Sequence, residues 1–426
     1  MISAAEAQQL LRQGRVDEAE RAFLAILDQD PQHLEALNVA GLIALRNGAT
    51  PRALELLGRA ADRNPADALS QHNLGLAQEA AGDLQAAIAC QQRAVEAAPE
   101  FHVARLHLGR ILEQAQQPAA AATQYARALH DAQAQGRWLN PDTTPAPLRA
   151  TVEHAVLFVR DQRRAAFEQL FAPLRARYGA DSMQRVEQAL HIYFNEEAPV
   201  YPDPRQRPTF LYFPGLPTSP YLDRALFPWI PQLEAQTAGI RAELLQLLPS
   251  SRGRERVFTS EELEQENLRG LDEPPSWNGY YFYRHGERRD DNCAACPVTA
   301  AALDALPLAH IRDHGPEVLF SVFTPGTHLL PHRGVTNTRL VSHLPLLVPD
   351  DCALNVGGEL HHWQEGRVVV FDDTYEHEAW NRSRKTRVVM IYDIWNPYLT
   401  EAERAAVTDL VAAIGDFRQA VEAAAH

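Results

Sequence analysis

Across the first 130 residues, apolar positions recur at the three- and four-residue spacing of helices that bury one face, interrupted by short polar turns. The pattern itself repeats every 34 residues. Pro31, Pro65 and Pro99 share one register, Gly14, Gly48 and Gly82 a second, and Gly41, Gly75 and Gly109 a third. Ala19, Ala53, Ala87 and Ala121 keep the same period, with Ala60, Ala94 and Ala128 seven residues later. A break at GRWLNPDTTPAPL (136–148) ends the series, and helical periodicity returns over 149–195. Nine prolines between Pro199 and Pro231 then exclude a continuous helix or a central strand and predict a segment wrapped over the surface of the next domain. One amphipathic helix is predicted over roughly 229–248, leading into a polar loop.

From about residue 277 the period changes. NGYYFYR, EVLFSVF, TRLVSHLPLLV, RVVVFDD and TRVVMIYDIW read as short strands separated by turn residues such as PGT, VPDD and VGG. Strands at this spacing predict a sandwich or jelly roll rather than βαβ units. The chain closes in one or two helices, with Thr400 and Glu403 placed as a capping box. The fold class expected is multidomain α+β: an all-α solenoid, then a double-stranded β-helix.

The 34-residue pattern resembles the tetratricopeptide repeat, a helix-turn-helix unit whose small residues let paired helices approach. One partial and three fuller repeats are expected, the last lacking its proline because Gln133 stands there. The resemblance implies a surface for a protein or peptide partner, with oligomerisation or solubilisation as the plainer uses. The domains expected are a repeat domain over 1–135, linker and connecting helices over 136–204, and a β-rich domain over 205–426.

Composition narrows the partners. The 426 residues carry a formal net charge of −15, against the clustered Lys and Arg that a nucleic-acid or anionic-membrane surface requires. No run approaches eighteen apolar residues, and MISAAEAQQLLRQG lacks the features of a secretory signal, so a soluble, cytoplasmic protein is expected. Four cysteines are too few for a disulfide scaffold. The lone CAAC pair, Cys293 and Cys296, reads as structural or as a local disulfide rather than as a metal or redox site.

Candidate chemistry sits in the last third. His332 and His377, with Arg387 ten residues beyond, supply two imidazoles and a cation on what read as strands of one sheet. Neutral imidazole suits Fe(II), and iron oxygenases of this type ordinarily add a carboxylate two residues after the first histidine. Here that position is Gly334, which leaves the third place to water or another ligand. Arg387 suits 2-oxoglutarate, because a guanidinium grips a carboxylate through two parallel hydrogen bonds. Cofactors expected are therefore Fe(II), with 2-oxoglutarate and O2 as cosubstrates.

The stretches SWNGYYFYRHGERRDDNCAACPVT, LFSVFTPGTHLLPHRGVTNTRLVSHLPL, WQEGRVVVFDDTYEHEAWNRS and RVVMIYDIWNPYLTEAE resemble, in order and spacing, the aspartyl/asparaginyl β-hydroxylase family over about residues 205–404. The resemblance implies that His332 and His377 are the metal ligands and that Gly334 replaces the acid. It further implies that Ser321 assists Arg387, that His343 lies at the metal-binding end of the cosubstrate, and that Trp277 lines the pocket together with Arg339. The implied activity is hydroxylation of a C–H bond, foremost the β-carbon of an Asp or Asn residue in a protein or peptide, or of a related small molecule. An inactive oxygenase domain in a repeat scaffold, or a two-histidine halogenase, are the alternatives.

One departure bears on substrate. The family reads NxRLRxHL where this chain reads NTRLVSHL, so Val341 replaces a cation. Either Arg339, Arg284 or Arg333 compensates, or the substrate is not an acidic side chain. Asp372 and Asp373 are expected to shape the turn before His377. His361 and His362, beside Trp363, are expected at the surface of a hairpin.

Overall fold

The computed structural model describes residues 2–249, 253–258, 260–270 and 276–423. They form two units, one within residues 2–167 and 416–423 and the other within residues 168–415.

In the first unit, eight helices among the described residues pair as hairpins: α1 (Ala4–Arg12) with α2 (Val16–Gln29), α3 (Leu34–Arg46) with α4 (Thr50–Arg63), α5 (Ala68–Ala80) with α6 (Leu84–Ala97), and α7 (His102–Gln114) with α8 (Pro118–Ala134). The repeating small residues mark close helix crossings. A Cβ on Gly75 would stand 2.7 Å from Gln91, and one on Gly109 would stand 2.6 Å from Tyr125; Gly41 meets Leu57 at the same sixteen-residue offset. Gly14, Gly48 and Gly82 turn each hairpin with φ of +75°, +75° and +82°, and Gln116 takes the next place at +59°. Polar groups buried between successive hairpins satisfy one another: Asn73 Nδ2 donates to Asn38 Oδ1 at 2.8 Å, and Asn38 Nδ2 to Ser70 Oγ at 2.8 Å.

α9 (Arg149–Tyr178) and α10 (Gln184–Tyr193) come next. The single helix expected near 229–248 is two, α11 (Ile230–Ala235) and α12 (Thr237–Leu247). At the break, Thr237 Oγ1 donates to the Glu234 carbonyl at 2.7 Å and so competes with the helical ladder. Part of the polar loop expected after it lies outside the described residues. The remaining helices are α13 (Glu261–Asn267), α14 (Asp290–Ala295), α15 (Pro297–Asp304) and α16 (Glu401–Ala423), the last opened by the Thr400–Glu403 capping box.

The rest of the second unit is two antiparallel sheets. Seven strands, β1 (Arg254–Arg256), β3 (Trp277–Arg284), β5 (Val318–Phe323), β12 (Arg387–Trp395), β7 (Arg339–Leu347) and β10 (Val369–Phe371), with β4 (Glu287–Arg288) on β3, form one. The other runs β2 (Leu268–Arg269), β6 (His328–His332), β11 (His377–Asn381), β8 (Cys352–Val356), β9 (Glu359–His361). The apolar runs read from the sequence all belong to the larger sheet. The reason is burial on both of its faces.

Strand alternation divides those faces. Val388, Met390, Tyr392 and Ile394 point outward with Val318, Phe320, Val322, Leu340, Leu344 and Leu346, into a core closed by Ile230, Leu233, Ile240 and Leu244. Phe323, Val341 and Val389 point inward and meet Leu329, Leu354, Val356 and Ala379 of the smaller sheet. Cys293 and Cys296 are unbridged thiols in the outer core, and burial pushes Cys296 up to about 12, which makes it inert. The proline-rich segment buries Leu211, Tyr212, Phe213 and Leu216 and adds single bridges to Thr336, Phe371 and Tyr375. Among the described residues, no helix is long and apolar enough to cross a membrane.

Candidate active site

The inward faces of the two sheets enclose a cavity of about 420 Å³, lined by Trp277, Ser321, His332, Arg339, His343, His377 and Arg387 among others. Every site residue read from the sequence is therefore brought together. The expectation of one shared sheet is corrected: His332 and His377 lie on β6 and β11 of the smaller sheet, while Arg387 lies on β12 of the larger. The reagents face each other across the sandwich.

His332 and His377 are register partners with ring centroids 4.1 Å apart. Each Nδ1 bonds a backbone carbonyl two residues back, His332 to Leu330 at 2.8 Å and His377 to Tyr375 at 3.1 Å. A carbonyl only accepts, so each Nδ1 carries the proton and each Nε2 keeps its lone pair. Burial lowers both imidazoles, and with His332 beside it His377 falls to about 3. Both rings are thus neutral at physiological pH, the state a metal ligand needs. Among the described residues, no group of three His, Cys, Asp or Glu is arranged to hold a metal ion.

Gly334 owes its identity to packing, since a Cβ there would collide with the Asp373 carboxylate. Asp372 does shape the turn, accepting from Thr374 N at 2.9 Å and Thr374 Oγ1 at 2.5 Å. Asp373 does not, and that part of the expectation is corrected: it faces the cavity, pairs with Arg339 at 3.3 Å and leaves Oδ1 without a hydrogen bond. Burial pushes its carboxyl up to about 7 although Arg339 opposes the shift.

Arg387 is 1% exposed. Its guanidinium lies between two rings, 4.0 Å from the centroid of Phe323 and 4.4 Å from that of Trp363, and donates once, to Ser321 Oγ at 3.2 Å. Its Nε has no partner, and among the described residues no carboxylate pairs with it. Burial lowers its pKa to about 9, the mark of a cation without a counter-ion. Trp277 Nε1 also donates to Ser321 Oγ, at 2.9 Å, so that hydroxyl accepts twice and its own proton stays available to donate. His343 is buried against Trp363 and Phe371, its Nδ1 unbonded and its pKa well below the ordinary value through burial.

Sequence reading missed the roles of Trp363, Phe323 and Asp373. The WQEG motif held Trp363 in view, but nothing local placed it over an arginine 24 positions later. His362 is exposed as expected, whereas His361 is half-buried on β9, its ring centroid 5.5 Å from that of Tyr221.

Sequence comparison agrees with this layout. Residues 234–397 match the aspartyl/asparaginyl β-hydroxylase family, and residues 4–68, 50–100 and 72–137 match the tetratricopeptide repeat. The chain is 35% identical over 195 residues to an ornithine lipid ester-linked acyl 2-hydroxylase of Rhizobium tropici, covering 45% of this chain and 66% of that protein. It is 34% identical over 176 residues to the human aspartyl/asparaginyl β-hydroxylase, covering 41% of this chain and 22% of the human one. A solved structure of MamA (41-end) from Desulfovibrio magneticus RS-1 is 26% identical, covering 31% of this chain and 75% of that one, with a TM-score of 0.29.

Proposed function

From residues 234–397, which belong to the aspartyl/asparaginyl β-hydroxylase family, we propose that the chain is an Fe(II)- and 2-oxoglutarate-dependent oxygenase that hydroxylates a C–H bond, its paired sheets being a double-stranded β-helix. The observation that carries the reading is the guanidinium of Arg387, fully buried and lacking a carboxylate partner among the described residues. A buried unpaired cation costs several kcal/mol, about as much as a bound dicarboxylate would return.

The residues present fit both groups. His332 and His377 would hold the metal through Nε2, their rings fixed by the Leu330 and Tyr375 carbonyls. Arg387 and the free proton of Ser321 would bind the distal carboxylate, with Trp277 fixing the serine rotamer. His343 would stand at the cosubstrate's other end, and the rings of Trp363, Phe323 and Phe371 keep water from the charged groups. Iron with 2-oxoglutarate and O2 supplies the oxidising power for hydroxylation, and the protein supplies orientation and exclusion of side reactions.

The family name offers the β-carbon of an Asp or Asn residue as substrate, and the Rhizobium relative's name offers an acyl chain. The repeat unit is proposed to dock a protein or peptide partner, a common use of stacked helical hairpins. Anaerobic titration with Fe(II) and 2-oxoglutarate tests the assignment. A visible metal-to-ligand charge-transfer band that disappears in His377→Ala is expected; no band in the iron-loaded protein would leave the scaffold reading in its place.

A further inference from the structure

Among the described residues, the substrate half of the cavity holds no uncommitted arginine. Val341 lies opposite Asp393 in the β7–β12 register, where a basic side chain would face that acid. Arg339 already donates from NH1 to Asp393 Oδ1 at 2.8 Å and pairs through NH2 with Asp373 Oδ2 at 3.3 Å. Burial alone would lower its pKa, but Asp393 and then Asp373 raise it instead, in keeping with the two contacts. Arg284 lies over the Tyr281 ring and pairs with Glu255, and Arg333 pairs with Glu376 on the half-exposed rim. None of the three cations that might replace the missing arginine is available to a substrate.

Acids occupy the same wall. On the inward face of the larger sheet, Arg387 stands at one end, Leu319, Ile391 and His343 line the middle, and Glu317, Asp393 and Val341 stand at the other. Asp393 Oδ2 accepts from Glu317 N at 3.0 Å, which holds the two acids side by side. The Glu317 carboxylate accepts from the His285 backbone N at 2.6 Å and lies 2.8 Å from the exposed ring of the same residue, and among the described residues no arginine pairs with it. A carboxylate brought to this end would meet like charge, and a cation would meet opposite charge in a partly desolvated site.

We infer that the substrate presents an aliphatic segment beside the metal histidines and a positively charged group, an ammonium or guanidinium, toward Glu317, and that a carboxylate is disfavoured at that end of the cavity. The inference rests on the oxygenase reading only for which carbon reacts. The charge preference belongs to the pocket itself.

The test uses the full chain under anaerobic conditions with Fe(II) and 2-oxoglutarate, and calorimetric titration with hexylammonium, hexanol and hexanoate as probes. Hexylammonium is expected to bind about five- to tenfold more tightly than hexanol, with hexanoate weakest. Glu317→Gln should erase the advantage over hexanol, and Val341→Arg should raise hexanoate affinity. Hexanoate binding as tightly as hexylammonium, equal binding of the amine and the alcohol, no measurable binding of any probe, or an order unchanged in Glu317→Gln would each overturn the inference. The charge-transfer band is read in the same samples, and its absence overturns the oxygenase assignment while leaving the probe ranking to judge the pocket. Glu317 is partly exposed, so its amide variant keeps the test open if Val341→Arg does not fold.

Discussion

The carboxylate of Asp373 occupies the space that a side chain on residue 334 would need. In the sequence, Gly334 looks like an acid lost from a metal triad. In the fold it is the clearance that lets a carboxylate delivered from the loop before His377 face the cavity. Gly334→Ala should therefore destabilise the protein by about 1–3 kcal/mol. Asp373→Ala should restore most of that loss in the double variant, and strictly additive thermal unfolding of the two changes would refute the packing relationship.

Arg387→Met should separate stability from binding. Removing an unpaired buried cation is expected to stabilise the ligand-free protein by about 1–4 kcal/mol, because a methionine fills the same slot between Phe323 and Trp363 without the desolvation cost. The same variant should lose all thermal stabilisation by 2-oxoglutarate. A lowered melting temperature in the ligand-free variant would mean that the cation is compensated.

Ser321→Ala tests the second half of the carboxylate grip. The hydroxyl accepts from both Arg387 and Trp277, which leaves its own proton to donate to the carboxylate proposed to bind there. Its loss should raise the KM for 2-oxoglutarate about tenfold, on the order of 1.4 kcal/mol, with kcat little changed. An unchanged KM would place the distal carboxylate elsewhere.

The repeat unit should be labile to acid. His107 is buried beside His72 with its Nδ1 unbonded, and burial lowers its pKa to about 3. A folded-state pKa below the unfolded value means that the unfolded chain binds more protons between the two. Stability is then complete above about pH 6.5 and is lost as pH falls toward 3, by up to about 1.4 kcal/mol per pH unit for each such histidine. His107→Gln should flatten the pH dependence of helical unfolding over pH 4–6.5, and an unaltered slope would assign the effect to other groups.

Local chemistry determined much of this protein in advance. A 34-residue period needs only neighbouring helices to be explained, so Gly41, Gly75 and Gly109 are legible as close crossings from the period alone. The strands of the larger sheet were legible because both faces are buried, which leaves long apolar runs such as RVVMIYDIW. His332, His377 and Arg387 were legible as residues of one cavity because the motifs holding them are continuous in sequence. Tertiary structure decided what depends on facing pairs. It placed the histidines and the arginine on opposite sheets, laid Trp363 over Arg387, and gave Asp372 to a turn but Asp373 to the cavity. It also showed Arg339 already claimed by Asp393 and Asp373, which turns the replacement at Val341 from an ambiguity into a charge preference. Each of these is set by sheet register and strand parity, and a sequence does not state which strands will lie across from one another.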